Sequence, residues 1–184
     1  MLYIMRHGKT DWNELRKLQG RTDIELNEEG REMARKASKE YKDVHFDVCF
    51  CSPLKRAKET AELLLEGRDV PIVIDDRLIE MSFGVCEGIA SSFDIPDCPI
   101  NTLFLDTENY TEAVEGGETL EEVAERTGAF LSEKVEPLLK EGKDVLILGH
   151  GAANSVIMCQ VRGRKITELF KQGVIHNCEL ITLK

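Results

Sequence analysis

Apolar and polar residues follow two recurring patterns along this chain. Short apolar runs predict buried strands, at residues 2–5, 47–51, 70–74, 144–148 and 178–183. Between these runs, apolar residues recur at helical spacing and predict helices, at residues 27–41, 54–65, 116–140, 154–161 and about 167–171. Strands that alternate with helices form a mostly parallel sheet covered on both faces. The pattern therefore predicts an α/β fold, a three-layer α/β/α sandwich.

Local signals mark where some of these elements begin and end. Glu28 and Glu29 place negative charge in the first turn of the first long helix, where the helix dipole favours it. Ser52 and Pro53 follow the second predicted strand and are expected to supply an N-cap and a proline at the first helical position. Between residues 76 and 117 the pattern breaks into loop and short pieces.

Length and composition narrow the class of protein. A chain of 184 residues is expected to form a single domain over residues 1–184. No run approaches the ~20 apolar residues of a membrane span, and the apolar N-terminal run is too short and too close to Arg6 for a signal peptide. We therefore expect a cytoplasmic protein without a membrane partner.

The cysteines are expected to be reduced core thiols. All six lie scattered in apolar segments, which is typical of a cytosolic chain rather than a disulfide framework. Cys49 and Cys51 share one face of a predicted strand, but no second Cys/His pair follows to complete four ligands. No bound metal is predicted.

Charge is distributed unevenly. The net charge of −10 argues against nucleic-acid binding, which requires a basic face. Between Leu78 and Glu125 there are twelve acidic residues and no Lys, Arg or His, so this segment carries −12 and the rest of the chain sums to +2. The acidity is therefore local.

The first predicted strand ends in Arg6-His7-Gly8. Open α/β sheets bind ligands at the carboxyl ends of their strands, so His7 stands where a site is expected. A fixed cation at Arg6 disfavours protonation of the imidazole and attracts an anion. A neutral imidazole beside a bound phosphate can attack phosphorus and form a covalent intermediate.

The stretch Arg6-His7-Gly8-x-Thr10-x-Trp12-Asn13 resembles the signature of the histidine phosphatase superfamily. The branch of the superfamily that this stretch resembles includes cofactor-dependent phosphoglycerate mutases, fructose-2,6-bisphosphatases and broad-specificity phosphatases. The resemblance spans nearly the whole chain and implies a phosphoglycerate mutase-like fold. It also implies that His7 is the nucleophile, that it forms a phosphohistidine, and that Arg6 holds the phosphoryl oxygens. Members commonly work without a metal, and no cofactor is implied.

Other segments extend the resemblance. In Ser52-Pro-Leu-Lys-Arg56-Ala-x-x-Thr-Ala, Arg56 matches the second phosphate-binding arginine, whereas Lys55 is expected on a solvated face. In Gly149-His150-Gly151, His150 matches the second histidine, and Gly151 lets the backbone approach the phosphate. Two guanidinium groups can stabilise charge that spreads over phosphoryl oxygens in the transition state.

Glu80 completes the implied catalytic set. Leu78-Ile79-Glu80-x-x-Phe-Gly-x-x-Glu87-Gly resembles the family segment whose glutamate protonates the leaving alcohol and deprotonates the attacking water. Glu87 is expected to be structural. Asn13 and Gly20 match further residues that line the pocket in relatives, and Arg21 is an additional candidate for phosphate contact, with a solvated loop arginine as the alternative.

Departures from the family pattern favour a phosphatase over a mutase. Where the mutases have Arg-His-Tyr after the glutamate, this chain has Met81-Ser82-Phe83, and the insertion that follows is short and devoid of cations. A mutase must retain its charged product, whereas a hydrolase need only admit water. The mutase remains the alternative. A non-catalytic phosphate-binding module is a third hypothesis, although none of the catalytic residues is lost.

Residues 81–118, the cover segment, correspond to the part that lies over the leaving group in relatives. Its lack of cations suggests a neutral, apolar or cationic leaving group, because anionic groups would meet like charge there. The competing hypothesis is a solvated acidic loop with its apolar residues packed beneath it. The expected partner is a small-molecule phosphate ester, or a phosphoprotein. The oligomeric state is not predicted.

Overall fold

The computed structural model describes residues 1–171 and 173–184. In chain order, the strands and α-helices are β1 (Leu2–Arg6), α1 (Asp11–Glu14), α2 (Glu28–Glu40), β2 (Val48–Cys51), α3 (Lys55–Leu64), β3 (Ile72–Ile74), α4 (Asn101–Leu105), α5 (Leu120–Phe130), α6 (Glu136–Lys140), β4 (Val145–Gly149), α7 (Gly151–Val161) and β5 (Leu180–Thr182).

The strands form one sheet in the order β3-β2-β4-β1-β5. β4 lies between β1 and β2 and runs parallel to both, and β3 is parallel to β2. β5 is antiparallel to β1, with Tyr3 opposite Thr182. The mostly parallel sheet predicted from the sequence is confirmed. Its three central strands end at the same edge.

Alternating residues of the central strands build a core on each face. On one face, Met5, Leu146 and Leu148 pack with alanines of α2 and α3. On the other face, Ile4 and Ile147 pack against α5, α7 and the turn that follows α5. Side chains of a strand alternate between faces, so each strand contributes to both cores. The predicted three-layer α/β/α sandwich is therefore confirmed.

The predicted helix over residues 116–140 begins later and contains an irregular turn. α5 starts after Thr119, which forms a capping box with Glu122. The Thr119 hydroxyl accepts from the Glu122 amide, and the Glu122 carboxylate accepts from the Thr119 amide. A π-helical turn, Leu131–Val135, joins α5 to α6. Pro137 lies in the first turn of α6 and has no N–H to donate, so regular α-helical bonding cannot continue through this point.

Two helix starts differ from the predictions. Ser52 does not cap α3, because the N-cap position is Leu54 and no side chain caps it. The Ser52 hydroxyl instead accepts from the Leu54 amide and contacts His150. α7 begins at Gly151 rather than at residue 154, which places its first amides directly beside the end of β4.

Smaller differences concern edge elements. The predicted strand over residues 70–74 is shorter, because Pro71 has no N–H for the ladder. The predicted helix at about residues 167–171 is a 3₁₀ turn at Ile166–Glu168. Residue 172 lies outside the described residues.

The cover segment contains no strand and only short turns besides α4. 3₁₀ turns lie at Gly84–Cys86, Ser92–Asp94 and Thr107–Asn109. Its buried side chains, which include Ile100 and Leu103, pack against residues of α5 and α7. Phe93 and Leu105 remain 60% and 73% exposed.

All six cysteines are buried and unpaired. No helix in the described part of the chain is long and apolar enough to span a membrane.

Candidate active site

Three neighbouring strand ends bring the predicted site residues together. His7 follows β1, Arg56 lies in the first turn of α3 just after β2, and His150 follows β4. The rings of His7 and His150 lie with centroids 5.2 Å apart. A cavity of about 200 Å³ opens at this edge and is lined by Arg6, His7, Asn13, Lys17, Leu18, Gln19, Gly20, Arg56, Glu80, Phe83, Phe104, Gly151, Ala152, Phe170 and Val174.

His7 is held with one specific ring nitrogen available. Its Nδ1 lies 2.6 Å from the carbonyl oxygen of Gly8. A carbonyl can only accept, so Nδ1 carries the proton and Nε2 keeps its lone pair. Burial lowers the pKa of His7 well below its ordinary value, and the nearby cations of Arg56 and Arg6 lower it further. The imidazole is therefore neutral at pH 7 with Nε2 unprotonated.

Backbone contacts fix the His7 loop. The Gly8 amide donates to Oγ1 of Thr60 in α3 at 2.9 Å. Nδ2 of Asn177 donates to the His7 carbonyl at 2.8 Å. The loop is therefore attached both to α3 and to the segment that precedes β5.

Arg56 is buried and oriented by carbonyl groups. Its Nη2 donates to the Gly20 carbonyl at 2.7 Å and its Nη1 to the Thr22 carbonyl at 2.8 Å. Arg6 donates through Nη1 to the Ile175 carbonyl at 3.0 Å. Burial lowers the pKa of Arg56 to about 10 and also lowers that of Arg6. Both groups remain cations at pH 7.

His150 is completely buried and bonded to Ser52. Its Nε2 lies 2.6 Å from Oγ of Ser52, and the same oxygen accepts from the Leu54 amide at 3.3 Å. If the Ser52 hydroxyl donates to Nε2, then Nδ1 of His150 carries the proton and can donate. Burial and the charge of Arg56 hold the pKa of His150 well below its ordinary value, so the ring is neutral.

Three residues of this site each carry a buried nitrogen without a hydrogen-bond partner. Among the described residues, Arg6 Nε, Arg56 Nε and His150 Nδ1 are buried without a hydrogen-bond partner, and Asn101 Oδ1 in the cover segment is the other such atom. Buried polar groups are normally hydrogen-bonded. Nitrogens that can donate, on two guanidinium groups and a histidine, are suited to a ligand with several anionic oxygens, such as a phosphoryl group.

Glu80 is held at the start of α7. One carboxyl oxygen accepts from the amides of Met81 at 2.8 Å and Ala153 at 2.9 Å, and the other accepts from Ala152 at 3.1 Å. The positive end of the helix dipole therefore faces this carboxyl group. A Cβ placed on Gly151 would lie 3.7 Å from Arg6 Cζ and 3.8 Å from Glu80 Oε2, so this glycine lies between the two groups.

Gly20 lines the cavity, and Glu87 packs against it. Gly20 has φ +53°, and a Cβ there would lie 2.1 Å from Glu87 Oε1, so only glycine fits. The Glu87 carboxylate accepts from the amides of Arg21 and Thr22, each at 2.9 Å, and of Phe83 at 3.1 Å. This network agrees with the structural role expected for Glu87.

The predicted residues fall into three groups by position. The cavity lining includes Arg6, His7, Asn13, Gly20, Arg56, Glu80 and Gly151. His150 is fully buried, with its ring centroid 5.2 Å from that of His7. Arg21 lies outside the lining, because its guanidinium pairs with Glu118 Oε1 at 2.7 Å and donates to the Glu80 carbonyl at 3.3 Å. Lys55 is exposed and pairs with Glu25, as expected.

Sequence reasoning missed the polar residues Lys17 and Gln19 and the role of Ser52. Gln19 is buried, and its Oε1 accepts from Oγ1 of Thr10 at 3.0 Å. Its position directly before Gly20 was the one available signal.

The missed apolar lining has no local signal at all. Phe104 contacts the rings of Phe83, Phe93 and Phe170, with centroids 6.0, 5.8 and 5.2 Å away. Phe83, Phe104 and Phe170 line the cavity but lie far apart in the chain.

One group of potential metal ligands occurs in the described part of the chain, at His45, Asp47 and Asp144. These residues precede β2 and β4 and so lie at the opposite edge of the sheet from the cavity. Lys143 and the N-terminal amine already pair with the two aspartates.

The fold and the cavity are typical of an α/β enzyme that acts on a phosphoryl group. The family model for the histidine phosphatase superfamily (branch 1) matches residues 2–184, and the chain belongs to this superfamily.

The named relatives include both phosphatases and phosphoglycerate mutases. The chain is 37% identical over 176 residues to an uncharacterized phosphatase, PhoE, of Bacillus subtilis, covering 95% of this chain and 83% of that protein. It is 34% identical over 160 residues to a 2,3-bisphosphoglycerate-dependent phosphoglycerate mutase of Cytophaga hutchinsonii, covering 86% and 75%.

Solved structures extend the similarity to nearly the whole chain. A mycobacterial glucosyl-3-phosphoglycerate phosphatase in complex with VO3 superimposes with a TM-score of 0.84 at 27% identity, covering 97% of this chain and 90% of that one. Family membership and the named phosphatases together support a phosphatase.

Proposed function

We propose that the protein is a phosphomonoesterase that hydrolyses its ester through a phosphohistidine at His7. The observation that carries the proposal is the environment of His7. The ring is neutral and buried, and its proton lies on Nδ1. Around it are the unpartnered nitrogens of Arg6, Arg56 and His150.

In the first step, the Nε2 lone pair of His7 attacks phosphorus as the bond from phosphorus to the ester oxygen breaks. Arg6, Arg56 and His150 donate to the non-bridging oxygens, on which negative charge spreads in the transition state. Glu80 gives a proton to the departing alcohol oxygen, which leaves as a neutral alcohol.

In the second step, water attacks the phosphohistidine. Glu80 takes a proton from this water as the new phosphorus–oxygen bond forms and the phosphorus–nitrogen bond breaks. Inorganic phosphate and neutral His7 are the products. The same carboxyl group therefore acts as acid and then as base, and no further proton donor is needed.

The lining of the cavity supports hydrolysis over mutase activity. Among the described lining residues, the only positively charged side chain besides Arg6 and Arg56 is Lys17. The cover segment contributes Phe83 and Phe104 to this lining. Because the cover segment contributes no cation, it cannot bind the second charged group of a bisphosphorylated product. The binding-module alternative is disfavoured because His7, Glu80 and both arginines are all present and positioned.

The same lining supports an apolar leaving group. Leu18, Phe83, Phe104, Phe170 and Val174 contribute apolar side chains to the lining of the cavity. Glu80 is the only acidic residue in the described lining, so the other acids of residues 78–125 face elsewhere. Of the neutral, apolar and cationic groups suggested by the sequence, the apolar one is therefore favoured. We propose a small-molecule ester as substrate, with a phosphoprotein side chain as the alternative.

The first test measures phosphate release from phenyl phosphate in the presence of EDTA. Wild type should release phosphate, and His7→Ala should lose about a thousandfold or more in kcat. His45→Ala, which removes an exposed histidine, is the matched control and should retain wild-type activity. Release by His7→Ala at the wild-type rate would overturn the proposal. Phosphoglycerate interconversion without phosphate release would favour the mutase.

The leaving group is tested with a panel of esters at equal concentration. An aromatic ester such as 2-naphthyl phosphate should show a higher kcat/KM than sugar bisphosphates or phosphoglycerates. A bisphosphate or phosphoglycerate with the highest kcat/KM would refute the apolar leaving group without affecting the phosphohistidine mechanism. A phosphopeptide in the same panel tests the phosphoprotein alternative.

A further inference from the structure

Ser52 is fixed at the ends of β2 and β4. It follows the last residue of β2, and its amide donates to the Leu148 carbonyl of β4 at 3.1 Å. Its side chain is completely buried. Pro53 comes next, and the residue before a proline is restricted to extended backbone conformations. The Ser52 hydroxyl is therefore held at one place, within reach of the residue that follows β4, His150.

The Ser52 hydroxyl has two contacts among the residues that the structure describes. Its Oγ accepts from the Leu54 amide at 3.3 Å and lies 2.6 Å from Nε2 of His150. A hydroxyl has one proton to donate, and an amide N–H cannot accept it. Of the two partners, only the His150 nitrogen can take the Ser52 proton.

The two possible directions of this hydrogen bond differ in what they leave unsatisfied. If Nε2 of His150 donates to Ser52, the buried hydroxyl proton has no acceptor among the described residues. If the hydroxyl donates to Nε2, its proton is used, and the ring proton of His150 lies on Nδ1. A buried donor without an acceptor is costly, so the second direction is favoured.

His7 and His150 are thereby held in opposite states. Burial and the nearby arginine charges lower the pKa values of both rings, so each is neutral, with one N–H and one lone pair. The Gly8 carbonyl accepts from Nδ1 of His7, and the lone pair of its Nε2 stays available. Ser52 occupies Nε2 of His150, and its Nδ1 is buried without a partner. One ring therefore offers a lone pair, and the other offers an N–H.

We propose that Ser52 is a positioning residue that holds His150 as the Nδ1–H tautomer, so that this ring donates to the transferring phosphoryl group. The inference rests on the proposed phosphatase function and adds to it a residue that acts through His150 rather than on the substrate. Without the hydroxyl, His150 can carry its proton on either nitrogen. A lone pair on Nδ1 would repel a phosphoryl oxygen instead of binding it.

The first test determines the His150 tautomer in the free protein by ¹⁵N NMR of the histidine side chains at neutral pH. The chain has four histidines, and His150→Gln identifies the signals of His150 by their loss. Wild type should show a protonated Nδ1 and an unprotonated Nε2. Ser52→Ala should shift the proton toward Nε2, whereas Ser52→Thr, which keeps the hydroxyl, should retain the wild-type pattern.

The second test measures kcat and KM for phenyl phosphate. Ser52→Ala should lower kcat about tenfold to a hundredfold with a smaller change in KM, because donation to the phosphoryl group strengthens in the transition state. Ser52→Thr should recover most of the kcat. Thr127→Val is the matched control, because it removes another completely buried hydroxyl, which donates to the Val123 carbonyl within α5. It should lower the melting temperature and leave kcat unchanged.

Three results would overturn the inference while leaving the phosphatase proposal intact. The first is a wild-type His150 with its proton on Nε2, a result that depends on no variant. The second is an unchanged kcat in Ser52→Ala. The third is a loss of kcat in Ser52→Ala without a change in the His150 tautomer, which would mean that Ser52 is merely structural. If the phosphatase proposal itself fails, wild type releases no phosphate, whereas NMR of the free protein still reports the bond between Ser52 and His150.

Discussion

The cavity has two halves that are built in different ways. The half that we propose binds the phosphoryl group, called the cradle, is made of Arg6, His7, Arg56 and His150. It stands at the ends of three parallel central strands and the start of α3. Each of these four side chains makes a hydrogen bond to a backbone carbonyl or to the Ser52 hydroxyl. The cover segment contains no strand and meets its neighbours through one isolated bridge, between Ala90 and Lys17, and an apolar cluster.

This difference separates chemistry from selectivity. A change in the cradle disturbs the groups that are proposed to act on the phosphoryl group common to every ester, so it should affect every substrate. A change in the cover segment alters the apolar walls and should affect substrates unequally. Glu80 joins the halves, because it precedes the cover segment directly and bonds the first amides of α7.

The largest effect is expected in the cradle, at Arg56. Arg56→Gln removes a buried cation that lines the cavity and should lower kcat/KM about a hundredfold to a thousandfold on every ester. It should also shift the acid limb of the pH profile upward. Only neutral His7 attacks, and Arg56 lowers the pKa of His7, so removing this cation lets His7 protonate at a higher pH. The measurement is kcat/KM against pH.

Arg56→Lys separates the two roles of Arg56. Lysine keeps the positive charge but cannot reproduce the paired bonds to the carbonyls of Gly20 and Thr22. The acid limb of the pH profile of Arg56→Lys should therefore stay near that of wild type, while kcat/KM falls. Thermal unfolding of both variants checks that they fold. If Arg56→Gln kept the wild-type kcat/KM and pH profile, Arg56 would have no role in the cradle.

The cradle is the half that sequence reasoning could find. The end of an apolar run predicts His7, whereas the family resemblance implies Arg56 and His150. All three follow strands, and parallel strands bring such positions to one edge. The sequence pattern predicts the start of α7 three residues too late and predicts Ser52 as a helix cap, whereas Leu54 holds the cap position. Both errors arose because local capping signals do not reveal that Ser52 faces a histidine 98 residues away.

The apolar half could not be predicted in the same way. Phe83, Phe104 and Phe170 meet through tertiary packing alone, without a shared periodicity. The acidity of residues 78–125 was visible in the sequence, but which way those side chains face was not. The sequence likewise does not distinguish Lys17 from the other cations, because its contact with Trp12 depends on the fold.

An intermediate effect is expected in the cover segment, at Phe104. Phe104→Ala removes the ring that contacts three other phenylalanines and should lower kcat/KM on 2-naphthyl phosphate about tenfold relative to glycerol phosphate. The loss should appear mainly in KM, because the cradle is untouched. The ratio of kcat/KM values for the two esters is the quantity to measure.

Phe93→Ala is the matched control for Phe104. Phe93 also contacts Phe104 but is 60% exposed and does not line the cavity. It should leave the ratio nearly unchanged. A uniform loss on both esters in Phe104→Ala would show that the cover segment supports the chemistry itself, which would break the division between the two halves.

The smallest effect is expected at Arg21, the residue that sequence reasoning offered as a phosphate contact and that lies outside the cavity lining. Arg21→Gln should change kcat/KM less than twofold on any ester, because the guanidinium pairs with Glu118. Glu118 stays paired in this variant through Arg126, at 3.0 Å, so the loss of stability should be within about 1 kcal/mol for a half-exposed ion pair. Arg126→Gln, which removes the more buried partner, should destabilise more in a denaturant titration. A loss of activity in Arg21→Gln comparable to that in Arg56→Gln would mean that Arg21 leaves Glu118 and joins the cradle when substrate binds.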